Sequence, residues 1–521
     1  MSFPKLLQSK YTEWAVLLAI IALAAYLRLV NLPDNPYWYS DEAVHVNIAH
    51  HLAQGRVQLF AMNQSMLLFS RPPLFHLILA GLFSVFGEGL TTLRVFTALL
   101  GVLSVALLYF IIHRISKESA LALLSALIFA IYPQAVLYSR FGFSYSLLTP
   151  MFILTLFGLY QYLDGRLRGL ALAALMIGVG TVCDLAMYTL LPVMGLAVLV
   201  RRWRDLLWSL PLAALPFGIY AVLMLISVPD AFRYDVNYVF ARVGGLPFLA
   251  QLASIALNCL ALISQDFWML AGVIGLFFLR PARLKWLCVL LLLLPIVVMG
   301  RSIALYNLSF YHMIPLLPLV ALGTAALIRY GATAIWREAR DGLNDLFKKR
   351  DWPDSTSQNG AVVGSGLLIL LLVITPILTT LVIVNNNVRT HYTTDIEVFL
   401  INPDDARQTA AYINTHTTAQ DRVIASSVVG WQFTAQTADF PMSVIYGGQD
   451  TTQLPGDIPH NRFAFDPDYR HTRYAVIDNL WRNWGAVHIP AVLSMLQDIE
   501  THWPKVFESG TIQVYQNPND P

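Results

Sequence analysis

Apolar runs recur along this chain from Trp14 to Ile383, each near the ~20 residues a helix needs to cross ~30 Å of hydrocarbon. They predict spans near 14–31, 91–112, 119–137, 145–163, 169–183, 186–200, 206–227, 266–279, 286–300, 311–328 and 361–386, eleven in all. Two shorter apolar stretches, 73–86 and 249–264, bring the number to thirteen if both cross. Crossing would turn the basic loops between residues 113 and 285 outward, so we read both as juxtamembrane helices on the outer surface. Pro72-Pro73 gives the first of them a clean start, because proline is tolerated in a first turn.

Beyond Val384 the pattern turns polar, with short alternating elements. A helix is predicted near Asp404–Asn414, strands near Arg422–Val429 and Tyr474–Ile477, a helix over Pro490–Ile499 and a last strand over Thr511–Tyr515. The fold class is therefore a mainly α polytopic membrane protein, residues 1–387, carrying a C-terminal extracytoplasmic α/β domain, residues 388–521. The basic segment 330–360 reads as a solvated connector. A mean hydropathy of +0.57 and only 13% charged residues exclude an ordinary soluble protein. Cys183, Cys259 and Cys288 all lie in or beside apolar segments, so the tail has no disulfide framework and no Cys-based zinc site. The stretch Trp14–Val30 is long for a signal peptide, and no small-residue cleavage site precedes Asn31.

The net charge of +2 says little; its distribution says more. With eleven spans the inner segments hold eighteen Lys and Arg, from Lys5 to Arg350. The outer loops before residue 387 hold six: Arg56, Arg71, Arg140, Arg233, Arg242 and Arg301. That bias puts the N-terminus in the cytoplasm and the C-terminal domain outside.

On the outer side, Asp41-Glu42 follows the first span within Pro36-Tyr37-Trp38-Tyr39-Ser40-Asp41-Glu42-Ala43. Two carboxylates at a membrane face are costly unless they coordinate something or move protons. Ser40 and Asp41 also suit a helix start, and a carboxylate fixed there has the set orientation that a general base requires. Arg71, in Arg71-Pro72-Pro73-Leu74, adds an anion-binding group in the same loop. His45, His76, Arg140, Arg301, Tyr311 and His312 lie on this side too, with Arg28 and Arg94 at outer ends of spans, from which arginine reaches the interface. Asp41 and His45 share a helix face, but no third metal ligand follows at diagnostic spacing, so no metal or other cofactor is required. A sugar already linked through phosphate needs no second carboxylic acid to leave, only a base at the acceptor and cations at the departing phosphate.

The order of these pieces is similar to that in the GT-C superfamily of polytopic glycosyltransferases, in its protein O-mannosyltransferase and aminoarabinose transferase branch. The matching pieces begin with Arg28-Leu29, Tyr39-Ser40-Asp41-Glu42-Ala43, Arg71-Pro72-Pro73-Leu74-Phe75-His76 and Leu93-Arg94. Tyr138-Ser139-Arg140, the proline-containing helix from Tyr311-His312 and the tail segment Asp405–Ile413 continue it. The resemblance implies inverting transfer of a sugar from a polyprenyl-phosphate-linked donor to an acceptor hydroxyl of a lipid, glycan or protein at the outer face of the cell membrane. It makes Asp41 the base and sets Glu42 and Tyr39 at the acceptor. It puts Arg71, Arg140, Arg94, His312 and Tyr311 around the donor phosphate. One departure stands out: many bacterial relatives carry a lysine near Tyr188-Thr189, where this chain has Asp184 and Met187. A transporter or flippase of lipid-linked saccharides is the rival class, and would carry polar residues deep in its spans or broken helices in matched halves. A silent membrane anchor would leave the outer cluster unexplained.

Overall fold

The computed structural model describes residues 10–64, 71–243, 247–302, 310–331, 373–392, 399–451 and 454–519. Among them, six helices are long and apolar enough to cross a membrane: Lys10–Leu29, Leu90–Ser116, Tyr145–Leu163, Trp203–Ser227, Ala282–Gly300 and Tyr311–Gly331. Two bent pairs raise this to eight if each counts as one span, Ser119–Ile131 with Pro133–Arg140 and Phe248–Ser264 with Phe267–Leu276. Shorter apolar helices at Leu167–Thr181 and Leu185–Arg201 fall on two further predicted stretches. The last predicted span is described only from residue 373, and the connector at 332–360 lies outside the described residues.

For the site, the first part of the chain matters most. Helix α1 (Lys10–Leu29) leads into a two-residue strand, β1 (Trp38–Tyr39), and then helix α2 (Ser40–Ala53). A small hairpin of β2 (Gln58–Leu59) and β3 (Met62–Asn63) follows. Then come α3 (Leu74–Phe86), α4 (Leu90–Ser116), α5 (Ser119–Ile131), α6 (Pro133–Arg140) and α7 (Tyr145–Leu163). The predicted span 119–137 is broken by 55° between α5 and α6, where Pro133 has no N–H to close onto the Phe129 carbonyl four residues back. Arg28 takes that place: its guanidinium donates to the Phe129 carbonyl at 3.1 Å and the Ala130 carbonyl at 2.9 Å. It passes Gly101, where any Cβ would come within 2.9 Å of Arg28 Nε. Arg28 thus serves the kink and is fully buried rather than reaching for headgroups.

The C-terminal part opens with β4 (Leu400–Ile401), which pairs antiparallel with β1, Tyr39 opposite Leu400 and Trp38 opposite Ile401. Helix Pro403–His416 follows. A five-stranded sheet is then built from β5 (Arg422–Ala425), β6 (Gln436–Asp439), β7 (Tyr474–Ile477), β8 (Lys505–Ser509) and β9 (Ile512–Gln516), in the order β6-β5-β7-β9-β8. β5 runs parallel to β6 and β7, whereas β9 is antiparallel to β7 and β8. The strand predicted through Val429 stops at Ala425, because Ser426 leads into a one-turn helix, Ser427–Gly430. β6 and β8 escaped prediction: both are edge strands, short and largely polar, with little alternation to read.

Asp439 closes β6 and Asp478 follows β7, so two carboxylates meet at the ends of parallel strands. Burial, and then the charge of Asp478, push Asp439 up to about 8. The folded chain therefore holds a proton that an unfolded aspartate releases near pH ~4, and stability falls as pH rises between those values. We predict that Asp439→Asn raises the midpoint of thermal unfolding markedly at about pH 9, less at about pH 5 and little at about pH 4.

Candidate active site

The first turn of α2 sets the site's geometry, because successive helix residues point about 100° apart. Glu42 turns inward and Asp41 turns out. Glu42 is fully buried and accepts four hydrogen bonds: from the Tyr39 amide at 3.1 Å, the Gly142 amide at 2.7 Å, Arg94 Nε at 2.8 Å and Arg94 Nη2 at 2.6 Å. Gly142 can approach so closely because a Cβ there would sit 2.4 Å from the Leu93 side chain. The rest of the Arg94 guanidinium donates to the carbonyls of Pro36 at 2.7 Å, Tyr37 at 3.0 Å, Leu32 and Pro33.

Three of the expected site residues are thus buried. Glu42 is the buried partner of Arg94. The Arg94 donors go to Glu42 and to the loop that precedes α2. Arg140 is fully buried as well and donates to the Leu27 carbonyl at 3.0 Å, the Val30 carbonyl at 2.8 Å and the Asn35 carbonyl. It neutralises the carbonyl end of α1, where a cation is favoured by the helix dipole.

Asp41 and Arg71 lie together, partly exposed. Asp41 Oδ1 lies 3.4 Å from Arg71 Nη2, with side chains 37% and 33% exposed. Tyr39 is buried beneath them against Phe143 at 5.4 Å and Phe399 at 6.0 Å. Burial, then the Asp41 charge, hold the Tyr39 hydroxyl well above its usual range, so it stays protonated. Phe143 stacks on Tyr311, whose ring is 4.1 Å from His312. His312 in turn packs among apolar side chains that include Leu148, Phe152, Met187, Leu190 and Met299, around a space of only about 10 Å³. The side chain of Arg301 lies outside the described residues.

Two contributors were missed. Asp184, noted only as a departure, caps the turn Leu185–Leu190 through the Ala186 amide and accepts from Ser144 Oγ at 3.3 Å. Burial raises its carboxyl above the usual range, against the lowering effect first of the Ala186 amide and the Ser144 hydroxyl and then of the Arg71 charge. Tyr145 packs on His312 at 5.7 Å. The aromatic and hydroxyl run Phe141–Tyr145 was the available signal.

The segment carrying Asp41 is braced from the C-terminal part. Besides the β1–β4 pairing, Ser427 Oγ donates to the Ser40 carbonyl at 3.3 Å and Trp431 lies 5.9 Å from Trp38. Arg407 sits 5.0 Å over the Trp38 ring and pairs with Asp34. Trp481, by contrast, is wholly in the core of the sheet region. Among the described residues no three His, Cys, Asp or Glu side chains gather as metal ligands; His50 pairs with Glu88 at 2.7 Å instead.

With the geometry in hand, similarities to known proteins can be placed on it. The family described as dolichyl-phosphate-mannose-protein mannosyltransferase matches residues 70–229. The undecaprenyl phosphate-alpha-4-amino-4-deoxy-L-arabinose arabinosyl transferase of Pseudomonas paraeruginosa is 29% identical over 230 residues, 42% of this chain and 40% of that protein. The protein of the same description from Pseudomonas aeruginosa is 29% identical over 219 residues, 40% of this chain and 39% of its own. These matches span about two fifths of the curated relatives' length. The crystal structure of ArnT from Cupriavidus metallidurans bound to undecaprenyl phosphate shares the fold at a TM-score of 0.61 and 13% identity, covering 98% of this chain and 99% of that one.

Proposed function

We propose, on the premise that this chain has the fold of the GT-C superfamily over nearly its whole length, that it is an inverting glycosyltransferase working at the outer membrane face. The donor is a sugar linked to a polyprenyl phosphate, and the acceptor is a hydroxyl. The observation that carries this reading is the Asp41–Arg71 pair, each side chain about a third exposed, while Arg94 and Arg140 bond to Glu42 and to backbone carbonyls.

In the resting pair each group masks the other. An exposed ion pair of this kind is worth ~0–1 kcal/mol, so an arriving phosphate displaces Asp41 from Arg71 at little cost. The guanidinium then faces the phosphate oxygens, for which its planar fork is suited. The freed carboxylate accepts the acceptor's proton as the acceptor oxygen attacks the anomeric carbon. The bond from that carbon to the phosphate oxygen breaks, and the phosphate leaves with the electron pair beside Arg71. Tyr39, whose protonated hydroxyl lies within the field of Asp41, is assigned to the acceptor side in this reading. Tyr311 and His312, which pack on each other at 4.1 Å, are the further donor-phosphate contacts in this reading. The count of basic residues supports a cytoplasmic N-terminus and an outer position for residues 388–521.

Arg71→Ala tests the assignment. Loss of a charge-assisted contact worth ~1.5–3 kcal/mol should raise the donor KM about 10- to 100-fold, with Arg71→Lys intermediate. Steady-state kinetics with the donor varied at saturating acceptor would show it; an unchanged donor KM in Arg71→Ala would remove Arg71 from the phosphate.

A further inference from the structure

Beneath the Asp41–Arg71 pair, two imidazoles meet in the core. His45 lies one turn after Asp41 on α2, and His76 lies in the first turn of α3, just past Arg71-Pro72-Pro73. His45 Nδ1 and His76 Nε2 are 2.8 Å apart, and the side chains are only 5% and 2% exposed. Phe75 closes one side, 5.1 Å from the His45 ring. Burial, then His76 and Arg71, hold His45 well below its usual range; burial, then Arg71, bring His76 to about 3. Both rings are therefore neutral near pH ~7, and one N–H meets one lone pair.

Two facts make this more than packing. An apolar pair of similar volume would fill the same space without the cost of desolvating two polar rings. The exposed Asp41–Arg71 contact, in turn, is too weak to fix the spacing of the segments that carry it. A buried, directional bond between those same segments does fix it. We propose that the His45–His76 pair is a positioning element of the transfer reaction, holding the Asp41 carboxylate and the Arg71 guanidinium at the separation that acceptor and leaving phosphate require. This rests on the function proposed above.

The test compares His76→Phe, which keeps the ring's bulk and loses the bond, with His76→Gln, whose amide reaches the place of Nε2. Both are assayed in lipid with a polyprenyl-phosphate monosaccharide that the unaltered protein turns over, Asp41→Asn serving as control. Thermal unfolding is measured in parallel. His76→Phe should stay folded yet lose activity by up to ~100-fold, with kcat lowered and the donor KM raised, and His76→Gln should recover most of it. If His76→Phe does not fold, the same contrast is read from His45→Leu against His45→Asn. Wild-type kcat and KM in the apolar variant overturn the inference. So does an amide variant as impaired as the apolar one. A wild-type protein that turns over no donor overturns the proposed function and this inference with it, whereas an active wild type with an equally active apolar variant overturns the inference alone.

Discussion

Asp41→Asn is expected to lower kcat by about 10²- to 10⁴-fold, the usual worth of a positioned general base. Asparagine keeps the shape and the helix-start preference but cannot take a proton. Nothing in the core depends on this carboxylate: its one described partner is Arg71, and both side chains are about a third exposed. The variant should therefore fold like the wild type. Donor binding should be no weaker, because Arg71 no longer has to be displaced from an anion. A loss of kcat with the donor KM held or lowered is the pattern that separates a missing base from a damaged site. Full activity in Asp41→Asn would discard the base assignment while leaving the enzyme reading open.

The second large effect falls one residue away and has the opposite character. Glu42→Ala is expected to destabilise the protein by about 3–5 kcal/mol, since it leaves the Arg94 charge buried without its partner. It also orphans the Tyr39 and Gly142 amides, which now bond to Glu42. Arg94→Leu should do comparable harm, because the Pro36 and Tyr37 carbonyls lose their donor too. Removing both charges together should recover only part of the loss, for the backbone groups around them stay unsatisfied. Thermal unfolding in detergent, on the single variants and the double, measures this directly. Near-wild-type stability with selective loss of activity in Glu42→Ala would return Glu42 to the acceptor.

These two adjacent carboxylates show how far the sequence could be read. That Asp41-Glu42 begins a helix just after α1 was legible from residue types and spacing. Which of the two faces the cleft was not: it is set by Arg94, 52 residues on, and by the Gly142 amide. The arginines follow the same rule. Arg140 stood out as a lone cation in an outer loop, yet it folds back onto carbonyls of the chain around residues 27–35. Arg28 answers to a break at Pro133 that lies more than a hundred residues away. An outer arginine in sequence looks alike whether it awaits a phosphate or satisfies the backbone, because the difference is a long-range contact. In the C-terminal part the helices Pro403–His416 and Pro490–His502 could be read from their proline starts and periodicity. The docking of Leu400 and Ile401 on Trp38 and Tyr39 could not, since pairs of two residues carry no pattern.

The C-terminal part contacts residues 34–40, the segment that delivers Asp41, as well as the hairpin of β2 and β3 and residues 234–235. On this proposal, the Asp41–Arg71 site transfers a sugar from a lipid-linked phosphate. The most direct measurement is release of polyprenyl phosphate by the purified protein in lipid, offered a panel of polyprenyl-phosphate monosaccharides with hydroxyl acceptors from the membrane in which it resides. The account predicts turnover of at least one donor, lost in Asp41→Asn and shifted to higher donor concentration in Arg71→Ala. Release that proceeds equally in all three proteins, or no release from any donor in the panel, would contradict it.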